Sequence, residues 1–143
     1  MKWNWRNEGF RTEPSRVTAP AGLRLYRAWG GTSQKTGSPA RPGVCFSTQR
    51  PDTRAEADGL FSAWEWGNSC FWLTEFFVSG RIEIYVGPVH PGNYVDPSLR
   101  DPRYGVQVFI ENPLQGKVVE VQTTRLVDDL DGRHVLPGSR RTQ

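Results

Sequence analysis

The chain carries little that could hold a metal or run redox chemistry: among its 143 residues are two histidines and two cysteines. His90 and His134 stand far apart in the sequence, and there is no Cys-x-x-Cys. With no partner at ligand spacing, these residues supply no metal site. Cys45 and Cys70 lie in aromatic, strand-like contexts (Val44-Cys45-Phe46 and Ser69-Cys70-Phe71) and read as buried free thiols rather than a disulfide. Long hydrophobic runs are missing too. No apolar stretch approaches the ~20 residues of a membrane-spanning helix. Met1 to Arg6 lack the apolar segment of a signal peptide, so the expectation is a soluble chain with no membrane contact, exported, if at all, by something outside this sequence. Internal repeats, heptads and low-complexity tracts are absent. The net charge is only +3. Without a dense basic stripe, that charge permits a nucleic-acid partner and does not require one.

What is present points to one loop-rich domain. The length suits a single hydrophobic core and is too short for two. Hydrophobic residues make up 36%, with 15 glycines and 11 prolines, which favours a β-rich or α+β domain over a helix bundle. Six tryptophans can fill a core, and they also suit stacking on flat ligands such as nicotinamide, adenine or bases.

Residues 1–22 are polar and broken by Pro14 and Pro20, as in a lead-in or linker. Leu23 to Trp29 alternates Leu23, Leu25 and Arg27 against Arg24, Tyr26 and Ala28, predicting a strand that Gly30-Gly31 ends. A Gly/Pro/Ser loop over 32–42 precedes a second strand, Gly43 to Thr48. Asp52 reads as the N-cap of a helix running to Trp66 and stopped by Gly67-Asn68. Phe71–Val78 and Arg81–Val86 read as a hairpin joined at Ser79-Gly80. A long loop over 88–104 leads to strands at Gly105–Ile110 and Val118–Thr123, linked by Asn112-Pro113. The expected fold is therefore α+β: a curved, mainly antiparallel core of about six strands with one main helix over residues 23–127, then a basic flexible tail over 128–143 holding Arg133, His134, Arg140 and Arg141.

Three strands each place a polar group in an apolar or aromatic setting: Tyr26-Arg27 in the first, Phe46-Ser47-Thr48 in the second, and Gln107 between Val106 and Val108. A buried arginine needs a partner, and strand-end hydroxyls can hold a neighbouring amide or carboxylate. Leu25 to Gly31, Trp66 to Asn68, Arg81 to Val89 and Tyr104 to Pro113, in this order and spacing, resemble the ADP-ribosyltransferase toxin domains of bacterial polymorphic toxins, in the arginine–serine–glutamate branch. The resemblance spans residues 23–123.

It implies an ADP-ribosyltransferase-like fold that binds NAD as co-substrate, without a metal, and breaks its nicotinamide–ribose bond. Arg27, Ser47 and Gln107 become the catalytic set. Tyr26, Arg27, Ala28, Phe46, Ser47 and Thr48 become the NAD-binding set, Ala28 offering its backbone to nicotinamide where the family often has glycine. Gln107 falls at the catalytic glutamate, and Gly105 two residues earlier at a second family Glu or Gln. The loop 93–104, ending at Tyr104, matches the segment that helps choose the acceptor. The departing nicotinamide leaves an oxocarbenium-like ribose that polar or anionic groups must hold, and glutamine binds hydroxyls without acting as a base. The expected activity is mono-ADP-ribosyl transfer to a macromolecule, protein or nucleic acid. Hydrolysis of NAD, transfer to a small molecule, and a non-catalytic Trp-rich binding module are the alternatives. Glu111 is the second candidate carboxylate. Phe61, Trp64 and Trp66 can wall the nicotinamide pocket, though core packing is the plainer reading. The resemblance further implies a monomer delivered into a target-cell cytoplasm and a cognate immunity protein that plugs the cleft.

Overall fold

The computed structural model describes residues 10, 12–31, 36–39, 45–61, 67–88 and 106–129. Seven strands follow in chain order: β1 (Ser15–Ala19), β2 (Arg24–Trp29), β3 (Cys45–Ser47), β4 (Trp72–Val78), β5 (Ile82–Pro88), β6 (Val106–Phe109) and β7 (Val118–Arg125). One α-helix, α1 (Arg54–Phe61), lies between β3 and β4, and a 3-10 helix (Asn112–Lys117) leads into β7. The strands form one sheet in the order β1-β5-β6-β3-β2-β4-β7, with every neighbouring pair antiparallel. The α+β class, the antiparallel core and, among the described residues, the one α-helix are as expected.

The expected hairpin is not formed. β4 pairs with β2 and β7, and β5 with β1 and β6. Four strand spacings, about 19 Å in a flat sheet, would separate β4 from β5, yet the four Cα steps from Val78 to Ile82 reach at most about 15 Å. The sheet must therefore curl until its two halves face each other across an apolar interior. Leu25, Phe76 and Val78 from β2 and β4 meet Phe46, Ile82, Ile84 and Val108 from β3, β5 and β6 in one buried cluster. Phe46 and Phe76 pack edge to face with ring centroids 5.2 Å apart. A short polar link reads locally as a hairpin turn, but the interior that its flanking strands share sets its path.

The lead-in also contributes structure. Ser15–Ala19 pairs with Ile82–Val86 as an edge strand, and Phe10 is buried beside Tyr85 and Phe109. All of β1 except Ala19 is exposed, so it lacks the apolar alternation that marks a half-buried strand. An exposed Arg16–Glu83 ion pair ties it to β5.

Helix α1 starts one residue later than expected. The Glu56 N–H donates to Thr53 Oγ1 at 3.2 Å, and the Asp52 N–H donates to Glu56 Oε1 at 2.7 Å. Thr53 is the N-cap of a capping-box arrangement, a Thr-x-x-Glu pattern present in the sequence. The helix packs Ala57 against Ala28, Cys70, Leu73 and Leu126, with Leu60 and Tyr26 at the margin. The carboxylate of Asp129 accepts the Ala55 N–H at 3.0 Å, so the first two residues of the expected tail include one that secures the helix start. Among the described residues, no helix is long and apolar enough to cross a membrane.

Candidate functional site

The halves of the curled sheet meet at β2 and β3, which among the described residues share a single register pair, Tyr26 opposite Ser47. Among the described residues, each of the other five strand junctions has three or more. From this junction a polar row runs across the sheet. Gln107 stands opposite Ser47 and Gly87, Tyr26 opposite Glu75, and Glu75 opposite Gln122. Residues directly opposite in a ladder share a face, so Gln107, Ser47, Tyr26 and Glu75 form one continuous line. Ser47 and Gln107 are 0% and 5% exposed, and Arg27, next after Tyr26, is 6% exposed. Two of the three expected stations, Ser47 and Gln107, stand together in this row, whereas Arg27, the residue after Tyr26, faces the other side of β2.

Local bonds fix these residues. Ser47 Oγ accepts the Gln49 N–H at 2.9 Å, which turns the chain sharply as it leaves β3. Arg27 Nε donates to the Ser38 carbonyl at 3.2 Å and draws residues 36–39 over the end of β2. The same loop is held where the Gly30 N–H donates to the Thr36 carbonyl at 2.6 Å. Gly30 has φ +152°, and a Cβ there would collide with Ser69 Oγ, so this position needs glycine. Burial pushes the Arg27 guanidinium down to about 10, opposed by Cys45 and Cys70, which leaves it charged at neutral pH. Asn68 braces β2, donating from Nδ2 to the Ala28 carbonyl and accepting the Cys70 N–H, both at 2.9 Å.

The expected NAD-binding residues divide. Tyr26 and Ser47 pair at the seam, and Arg27 follows Tyr26 on the opposite face of β2. Thr48 is exposed just beyond it. Phe46 and Ala28 sit in the buried apolar clusters. Cys45 and Cys70 are free thiols. Gly105, the loop 93–104 with Tyr104, Trp64, Trp66 and the basic residues of the tail lie outside the described residues, and Phe61 is described only as the end of α1. Glu111 is exposed beside the 3-10 helix, off the polar row.

Three features escaped the pattern of stations. Arg54 is fully buried: Nε and Nη2 donate to the Ser69 carbonyl at 3.0 and 2.6 Å, Nη1 reaches Asp128 at 3.0 Å, and the guanidinium lies 4.0 Å over the Phe71 ring. Burial lowers its pKa and Asp128 opposes that shift. Asp58 is a buried carboxylate on α1. Glu75, at the outer end of the row, is held by Arg24 at 2.9 Å, Arg50 at 3.4 Å and Gln122 at 3.3 Å, while Arg50 lies 6.0 Å over the Tyr26 ring. Thr53-x-x-Glu56 was readable from spacing alone. The arginine cluster was not, because register and not sequence distance assembles it.

No protein-family model matches this chain, and no curated protein matches it. Its fold is similar to those of two solved proteins. Tne2, solved in complex with Tni2, aligns at TM-score 0.56 and 13% identity over 82% of this chain and 95% of that one. Rhs1-CT, solved in complex with its cognate immunity protein RhsI1, aligns at TM-score 0.53 and 12% identity over 82% of this chain and 85% of that one. At such identities the likeness is one of fold.

Proposed function

We propose that this chain is a toxin domain of the ADP-ribosyltransferase type that breaks the nicotinamide–ribose bond of NAD. The carrying observation is the polar row: Ser47 and Gln107, far apart in sequence, stand directly opposite each other beside the junction where, among the described residues, the half-sheets share the single pair Tyr26–Ser47. Nicotinamide leaves with the electrons of the C–N bond, and the ribose develops oxocarbenium character. Gln107 and Ser47 hold the ribose hydroxyls in a setting largely closed to water, where fixed dipoles act more strongly than in solvent. Arg27 holds the loop 36–39 at the end of β2 through the Ser38 carbonyl. The sugar carbon then takes a nucleophile, whose proton is released.

Two acceptors are compatible with this chemistry, a macromolecule or water. Gln107 cannot remove a proton from an acceptor side chain, and the carboxylate that shares its row, Glu75, is engaged by two arginines and a glutamine. This favours water, which gives nicotinamide, free ADP-ribose and a proton. In this reading a cognate immunity protein, of the kind solved with Rhs1-CT, covers the seam.

The test is NAD labelled on the adenylate half, incubated with the purified chain in a lysate beside Arg27→Ala and Gln107→Ala. Nicotinamide release with free labelled ADP-ribose, lost in both variants, supports NAD hydrolysis. Label on a protein or nucleic-acid band assigns transfer to a macromolecule instead. NAD left intact would sink the enzymatic reading and leave a non-catalytic binding module.

A further inference from the structure

We infer that Arg50, with Arg24 beside it, forms the site that takes the pyrophosphate of the dinucleotide, an assignment that rests on the NAD reading above. The family resemblance puts Arg27 among the NAD-binding residues, but Arg27 is buried and its Nε is engaged by the Ser38 carbonyl. Arg50 is different in each respect. It follows Ser47 by three residues, just past the turn that the Ser47–Gln49 bond makes. Its side chain is 42% exposed. Its guanidinium lies 6.0 Å over the ring of Tyr26, the residue paired with Ser47.

The position fits the shape of the substrate. Tyr26 is one strand from Ser47, about 4.8 Å, and Gln107 is one strand further in the same line. A ribose held by Ser47 and Gln107 therefore directs its 5′ substituent along the row toward Tyr26 and the arginines, out to the solvent end. There the Arg24 and Arg50 guanidinium groups meet Glu75, and Arg50 Nε also lies 3.9 Å from the exposed carboxylate of Asp52, so an incoming phosphate takes the outer Arg50 donors in competition with that weak, solvent-exposed contact. Glu75 is only 15% exposed and keeps the Arg50 side chain in place by a 3.4 Å contact. A phosphate oxygen, which matches the planar fork of guanidinium better than a single contact does, takes the exposed donors of Arg50 while Glu75 retains Arg24.

A plain surface ion pair would make the same contacts and bind nothing, so the test must separate the two. The probe is inorganic pyrophosphate, titrated calorimetrically into the full chain, so that the result does not depend on NAD turnover. Arg50→Ala should weaken binding roughly tenfold, the loss expected for one charge-assisted contact. Glu75→Gln should strengthen it roughly threefold, because a competing negative charge is removed. Arg16→Ala, on the far edge strand, should change nothing. Where NAD is cleaved, Arg50→Ala should raise KM for NAD with little change in kcat, and KM for nicotinamide riboside, which has no phosphate, should stay the same. Absence of pyrophosphate binding by the wild-type chain, or equal binding by Arg50→Ala, overturns this assignment even if NAD is cleaved. Pyrophosphate binding with NAD left intact would uphold the anion site and remove the catalytic reading instead.

Discussion

Two neighbouring rows of the same three strands have opposite characters. Phe46, Val108 and Val86 stand in register and belong to the apolar interior, while Ser47, Gln107 and Gly87, one residue along, form the polar line at the seam. Both rows are shielded from water, so burial does not distinguish them. The difference is that the apolar row is redundant, one part of a cluster that also draws on β1, β2 and β4, whereas the polar row is built from single groups. A slip of one residue in β3 or β6 would exchange the two faces. The core row therefore also holds the site in register.

This contrast can be broken at several points. Phe46→Ala empties a fully buried ring position and should cost about 3–5 kcal/mol, lowering the urea midpoint sharply and removing activity only through unfolding. Gln107→Ala should do the reverse: the midpoint changes modestly, while NAD cleavage falls on the order of a hundredfold, as when one transition-state donor is removed. A Gln107→Ala chain that keeps its rate would show that the polar row is structural like its neighbour. Arg54→Ala should cost about 2 kcal/mol through the hydrogen bonds it leaves unmade, and NAD kinetics in the folded fraction should be unaltered. The smallest effect concerns Cys70. Burial holds its thiol protonated well above the ordinary 9.0, so above about pH 9 the unfolded chain loses a proton that the folded chain keeps. Stability then falls as pH rises, by on the order of 1 kcal/mol at pH 10. Urea titrations at pH 8 and pH 10 should show this part of the decline in the wild type and not in Cys70→Ala.

Alternation made β2 and β6 legible, because Leu25 and Val108 against Tyr26 and Gln107 leave a period of two whichever way the sheet curls. The same signal missed β1, whose Ser15-Arg16-Val17-Thr18 run is exposed and whose partner lies more than sixty residues on. It also misjudged the link at Ser79-Gly80, since turn chemistry is local and the closure of the sheet is not. At the site, order along the chain was enough to nominate Arg27, Ser47 and Gln107. It was not enough to find Arg50, because only register shows that Tyr26 stands between Ser47 and Glu75.

The single pair, Tyr26–Ser47, that joins β2 and β3 among the described residues has a dynamic consequence. Parting β2 from β3 breaks fewer ladder positions than parting any other neighbours among the described residues, so the first partial opening of this sheet runs along its middle rather than from an edge. Backbone amides on either side of that seam should exchange with solvent before those of β4 and β7, although the seam is the better buried.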